Sequence, residues 1–169
     1  MKPLGILVVP SVLLLCLEAA PTSLNITNFV FGGTPARLGQ FPMQVYINFQ
    51  GKSDGHNYHC GGTLLSTTHV LTAAHCAEDM GSMKRIMVGA INRRNPAAGA
   101  QWRNVVEIFM NPEFFYDKYG VHNDIAVVKL ESPVSLNDNV KVAKIVENDE
   151  QLLQSKTATV AGYGTYGCE

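Results

Sequence analysis

Between positions 43 and 49 the apolar residues Met43, Val45, Ile47 and Phe49 alternate with Gln44, Tyr46 and Asn48. That period of two is the signature of a strand with one buried face, because successive side chains of a strand point to opposite sides. A cluster of turn formers, Gly51 through Gly55, closes it. Further short strands, spaced by turns, are expected at 61–66, 69–72, 85–90, 105–110 and 125–130. Helical periodicity is confined to a single turn at 73–76 and a short piece at 149–153. Many short strands separated by turns predict an all-β barrel or sandwich. After Pro133 the chain turns polar through Ser135, Asn137, Asp138 and Asn139, which reads as a connector. Strand-like alternation resumes at Ala158 and Val160, ahead of a turn at Gly162-Tyr163-Gly164, and this last strand finds no partner in the chain.

The first twenty residues follow a different rule. Lys2 precedes an apolar run over 4–17, and small residues follow at Ala19 and Ala20, the layout of a secretory signal peptide. A membrane anchor is the rival, but the run is broken by Pro10 and falls short of the roughly 20 residues needed to span a bilayer. Residues 21–29 then form a short propeptide-like segment. It holds Asn25-Ile26-Thr27, the single glycosylation sequon, so Asn25 is the candidate glycosylation site.

Composition changes the picture chiefly by exclusion. With 46% apolar residues, 16% charged residues and a formal net charge of -1, the chain offers no general attraction to nucleic acid or to anionic membrane surfaces. Secretion places the cysteines in an oxidising compartment, where pairing is the default. Cys16 leaves with the leader. Cys60 and Cys76 flank an extended stretch and turn that bring them together, closing a loop of about 16 residues worth about 3 kcal/mol in the chain-entropy relation. Cys168 is then unmatched, and is expected to be free or to form an intermolecular disulfide.

The chemistry concentrates in two blocks. His75 lies in Leu71-Thr72-Ala73-Ala74-His75-Cys76, and Asp124 lies in Asn123-Asp124-Ile125-Ala126-Val127-Val128-Lys129-Leu130. An imidazole followed along the chain by a carboxylate is the first two thirds of a charge-relay triad, in which the carboxylate orients the ring and the ring deprotonates a hydroxyl. Taken singly, His75 would be an ordinary core histidine and Asp124 the end of a turn. His56, His59, Cys60, His69 and Cys76 are donors that zinc prefers, but a disulfide is the better use of the two cysteines, and no metal is expected.

Together with Cys60-Gly61-Gly62-Thr63-Leu64-Leu65-Ser66, the two blocks resemble those of the trypsin and chymotrypsin family of secreted serine endopeptidases. Val30-Phe31-Gly32-Gly33 is similar to the mature N-terminus of these enzymes, making Val30 the candidate new terminus. The residue before it is Phe29, where family zymogens usually carry a basic residue. Thr159-Val160-Ala161-Gly162-Tyr163-Gly164 is similar to the opening strand of the family's second barrel, with Tyr163 where tryptophan is more usual.

The resemblance implies a first barrel of a trypsin-like two-barrel fold over 30–133, a connector over 134–156, and the start of a second barrel over 157–169. It also implies that His75 is the general base and Asp124 its orienting partner, that a disulfide joins Cys60 to Cys76, and that no cofactor is used. Calcium, which some members bind in a surface loop, is not expected, because 89–99 carries Arg93 and Arg94 and no carboxylate.

No Gly-Asp-Ser-Gly-Gly follows Asp124, and Ser132, Ser135 and Ser155 lack the glycine turn that presents a nucleophile. The expectation is a serine endopeptidase by family whose 169 residues lack the nucleophile, the oxyanion hole and the specificity pocket, and are inactive alone. Its partner would be a protein or peptide substrate once a second barrel completes it. The alternative is a secreted, non-catalytic binding module built on the same scaffold.

Overall fold

The structure, a computed structural model, describes residues 33–96, 98–154 and 157–164. The expected leader, Asn25, Val30, Ser155 and Cys168 lie outside the described residues. In chain order the elements are β1 (Gln44–Gly51), β2 (Asn57–Leu64), β3 (His69–Thr72), α1 (Ala74–Glu78), β4 (Met80–Val88), β5 (Gln101–Met110), β6 (Phe115–Asp117), β7 (Gly120–His122), β8 (Ala126–Leu130) and α2 (Glu150–Leu153). Six strands close into an antiparallel barrel in the order β1-β2-β3-β8-β5-β4, and β6 and β7 form a separate two-stranded sheet. The fold is therefore mostly β. Closure leaves the barrel no unpaired edge strand.

The alternation in β1 becomes the barrel's inside and outside. Val45, Ile47 and Phe49 are buried and meet Leu64, Val70, Ile86, Val88, Val105, Val128 and Leu130 in one core cluster. Each fully buried aliphatic side chain of this kind contributes about 1.5–3 kcal/mol relative to exposure. Gly62 is needed where β2 meets β3, since a Cβ there would stand 2.7 Å from Val70 Cγ1 and 2.8 Å from the Leu71 carbonyl oxygen. Residues of the expected connector also close the barrel. Val134 and Val140 belong to the core cluster. Backbone hydrogen bonds run from Val134 N–H to the Thr67 carbonyl (2.9 Å) and from Ala143 N–H to the Leu64 carbonyl (2.8 Å).

Three strands begin earlier than the pattern predicts: β2 at Asn57, β4 at Met80 and β5 at Gln101. Their leading halves carry few buried side chains, so hydrophobic alternation does not reveal them. They are held by the ladder, as in Phe49 with Tyr58 and Met87 with Trp102. Residues 157–164 form no strand in the structure. Tyr163 instead packs on the outside of the barrel, 5.4 Å from the Tyr46 ring, with its hydroxyl donating to the Ala90 carbonyl. Burial pushes its phenol up to about 12. Among the described residues no helix is long and apolar enough to cross a membrane.

Candidate active site

Two chain reversals bring the site together. Thr72 ends β3 with its hydroxyl donating to the Gly61 carbonyl at 2.9 Å, and the chain then turns into α1. Ala74, Cys76 and Ala77 are buried on the inner side of that short helix, so His75 points outward with its side chain 51% exposed. Cys76 is tied to Cys60 on β2 by a disulfide with Cα atoms 6.4 Å apart, clamping α1 to the barrel wall. The second reversal precedes β8. Asn123 sits in the left-handed region at φ 51, a conformation that asparagine tolerates better than most residues. Its side-chain amide donates to the Glu113 carbonyl at 2.9 Å. This kink turns the Asp124 carboxylate onto the start of α1.

The contact is two-pronged. Asp124 Oδ2 lies 2.7 Å from His75 Nδ1, and Asp124 Oδ1 accepts the His75 backbone N–H at 2.8 Å. Ala73, at the N-cap of α1, has no side-chain acceptor to offer, so Asp124 supplies the one a helix start requires. Partial burial alone would push the Asp124 carboxyl up. The hydrogen bonds from His75 backbone and ring, the charge of His75 and the Ala74 N–H outweigh this and hold it below the ordinary carboxylate range. An ionised carboxylate is an acceptor only, so His75 Nδ1 carries the proton in this hydrogen bond. In the neutral ring Nε2 then holds the lone pair, the state a general base requires.

Nε2 lies 3.2 Å from Cys76 Sγ, which carries no hydrogen in the disulfide, so the contact places no donor on the Nε2 lone pair. Cys60, His75 and Cys76 group their donor atoms as a metal site would, but both sulfurs are used in the S–S bond. The other histidines are elsewhere. His69 Nδ1 is shared between Ser66 Oγ (3.1 Å) and Thr68 Oγ1 (3.0 Å), and His59 is pushed down by burial and then by the charge of Arg93. No hydrogen bond of His75 among the described residues reaches a hydroxyl. Ser135 is engaged through its backbone with the Gln101 side chain.

A shallow cavity of about 490 Å³ opens beside Asp124, lined by Gly61, Gly62, Thr72, Ala73 and Ile125 among others. The β6–β7 hairpin runs directly into Asn123 and Asp124, in a stretch where the hydrophobic pattern predicts no strand. Phe115 stacks on His122 at 4.5 Å, His122 Nε2 pairs with Asp117 at 2.9 Å, and the Tyr116 hydroxyl donates to Glu78 at 3.2 Å. The signal that could have found it is the Asp117-to-Gly120 turn, where Gly120 adopts φ 137.

The chain is similar to known proteins over most of its length. The family model described as Trypsin matches residues 30–169. Chymotrypsin-C of Rattus norvegicus is 33% identical over 141 residues, covering 83% of this chain and 51% of that protein. The fibrinolytic enzyme isozyme C of Lumbricus rubellus is 30% identical over 135 residues, covering 80% of this chain and 55% of that protein. A solved structure described as "Structure of GrC" superposes with a TM-score of 0.61 at 26% identity, over 70% of this chain and 49% of that one. The chain spans about half the length of the curated relatives it matches.

Proposed function

The chain belongs to the trypsin family, and on that premise we propose that it carries the proton-transfer half of a secreted serine endopeptidase. In this reading His75 Nε2 takes the proton of a serine hydroxyl as it attacks the scissile carbonyl, and returns it to the departing amine. Asp124 stays ionised throughout, holding the Nδ1–H tautomer and stabilising the imidazolium. The observation that carries the reading is the contact of both Asp124 oxygens with His75, one on the ring and one on the backbone. Substrates are proteins or peptides, and secretion is supported by the leader-like residues 1–20 and by a disulfide of the kind oxidising compartments maintain.

The 169 residues alone do not turn over substrate in this proposal. Nε2 has no hydroxyl to deprotonate among the described residues, and the sequence holds no Gly-Asp-Ser-Gly-Gly to provide one. Removing the nucleophile from a serine protease with the same triad costs about a million-fold in kcat.

A fluorophosphonate, which reacts only with an activated serine, tests both halves of the proposal. The 169-residue chain is expected to remain unlabelled. A chain extended through a serine block is expected to label, and to lose labelling on His75→Ala. Stoichiometric labelling of the 169-residue chain would overturn the reading and identify one of its own serines as the nucleophile.

A further inference from the structure

The aromatic run Phe114, Phe115, Tyr116 and Tyr119 just ahead of Asp124 takes no part in the proton transfer. In the fold it joins the two halves of the pair by a second route. α1, which carries His75, is five residues long, too short to hold its own shape in water. Its N-terminal end is held by Asp124 and, through Cys76, by the disulfide. Its last residue, Glu78, is held twice: the carbonyl accepts Lys52 Nζ at 2.5 Å, and Oε2 accepts the Tyr116 hydroxyl at 3.2 Å. Lys52 follows β1 and makes no hydrogen bond to either partner of the pair. Tyr116 lies on β6, whose partner strand β7 ends at His122, next to the Asn123 kink that aims Asp124.

The hairpin is built to transmit that contact. Asp117 Oδ1 accepts the Tyr119 and Gly120 N–H groups at 2.7 and 3.1 Å and lies 2.9 Å from His122 Nε2, closing the turn and tying it to the last residue of β7. Phe115, opposite His122 in the register, stacks on its ring. Phe114 packs against Ala74, Ala77 and Ala126, and its ring meets Tyr116 edge-on at 5.0 Å. Partial burial first, then the Glu78 hydrogen bond and the charges of Glu78 and Asp124, push the Tyr116 phenol up, so at neutral pH its hydroxyl keeps the proton and is the donor. An aromatic residue that only packs in a loop needs no hydroxyl; this one directs it at the helix of His75. We infer that Tyr116 is a positioning residue for the His75–Asp124 pair: through Glu78 it fixes α1 against the hairpin, and so holds the imidazole at the carboxylate. The inference rests on the reading of His75 and Asp124 as the proton-transfer pair. The path from His75 along α1 to Glu78, Tyr116, β7 and Asp124 is a closed ring of contacts, and opening it at Tyr116 lets α1 and the hairpin move apart at the C-terminal end of the helix.

The test reads the His75 ring by NMR in the full 169-residue chain, as the rate at which its Nδ1 proton exchanges with water well below the melting midpoint. Tyr116→Phe keeps the half-exposed ring against Phe114 and removes only the hydroxyl. It is expected to speed that exchange by about fivefold, the factor for loss of one hydrogen bond of ordinary net strength. Glu78→Ala is expected to do the same, and the double variant no more than either single one. Glu78→Gln, which keeps an acceptor oxygen, is expected to stay near the parent. So is Tyr119→Phe, because the Tyr119 hydroxyl makes no hydrogen bond among the described residues. Parent-like exchange in Tyr116→Phe, additive effects of the two single variants, or a lower melting midpoint with unchanged His75 exchange would overturn the inference. Asp124→Ala separates it from the reading beneath it. If that variant leaves Nδ1 exchange at the parent rate, the pair itself fails and the inference with it; if it speeds exchange while Tyr116→Phe does not, the pair stands and only the role of Tyr116 falls.

Discussion

Replacing Cys60 and Cys76 together by alanine removes the clamp between β2 and α1, and its cost follows from the structure. The two cysteines are separated by 16 residues. The loop-closure relation for that length gives roughly 10 cal/mol/K, or about 3 kcal/mol near room temperature, lost because the unfolded chain regains its freedom. Cys76 is buried at 5% exposure, so trimming it to alanine adds about 1 kcal/mol of lost packing. Against a total stability of about 5–15 kcal/mol, this is a large fraction. At roughly 4 °C per kcal/mol for a domain of this size, the melting midpoint is expected to fall by about 12–16 °C. The assay is reversible urea or thermal unfolding of the double variant beside the parent. The double variant is required because a single one leaves a reactive thiol that can pair with Cys168. Non-reducing peptide mapping of the parent is expected to find Cys60 linked to Cys76. A midpoint within about 3 °C of the parent, or a bridge from either cysteine to Cys168, would refute the reasoning.

Gly62→Ala is expected to cost about 1–3 kcal/mol in urea melts, since its methyl group would meet Val70 and the Leu71 carbonyl below contact distance, whereas Gly61→Ala, facing only Gln44 Nε2 at 3.6 Å, is expected to be far milder. Asn123→Val forces a β-branched residue into φ 51 and is expected to cost about 1–3 kcal/mol while displacing Asp124; Asn123→Gly, which relieves φ 51 but loses the amide bond to Glu113, is expected to cost less, about 1 kcal/mol. Because the folded state holds the Asp124 carboxyl below its unfolded value, its contribution is complete above about pH 4 and is lost as pH falls through the lower folded value. Melts of parent and Asp124→Asn across acid pH are therefore expected to differ most near neutrality and to converge in strong acid.

The barrel's interior strands were legible because Val45, Ile47 and Phe49, or Val128 and Leu130, repeat with the period of a pleated sheet buried on one side. The leading ends of β2, β4 and β5 were not. Their residues are ordered by backbone ladders, and exposed positions such as Tyr58, Met83 and Asn104 carry no periodic signal. Closure was also invisible to periodicity, since β1 with β4 and β5 with β8 pair across long stretches of intervening chain. His75 and Asp124 were singled out as candidates through their blocks of neighbours and not through any local pattern. The pieces that position them, Asn123 in its left-handed kink and the β6–β7 hairpin leading into it, depend on backbone conformation. Asparagine and glycine permit that conformation without specifying it. Tyr163 read as part of a further strand; in the structure its ring finds Tyr46 and its hydroxyl the Ala90 carbonyl, contacts set by tertiary packing alone.

In the assembled His75–Asp124 pair the proton is expected on Nδ1 and the lone pair on Nε2. Long-range proton–nitrogen NMR of the histidine rings, recorded above the titration range of ordinary imidazole, reads that tautomer directly. His75 is expected to show a protonated Nδ1 and an unprotonated Nε2 in the parent, with the preference lost in Asp124→Ala. An Nε2–H tautomer, or a ring averaging between both forms in the parent, would contradict it.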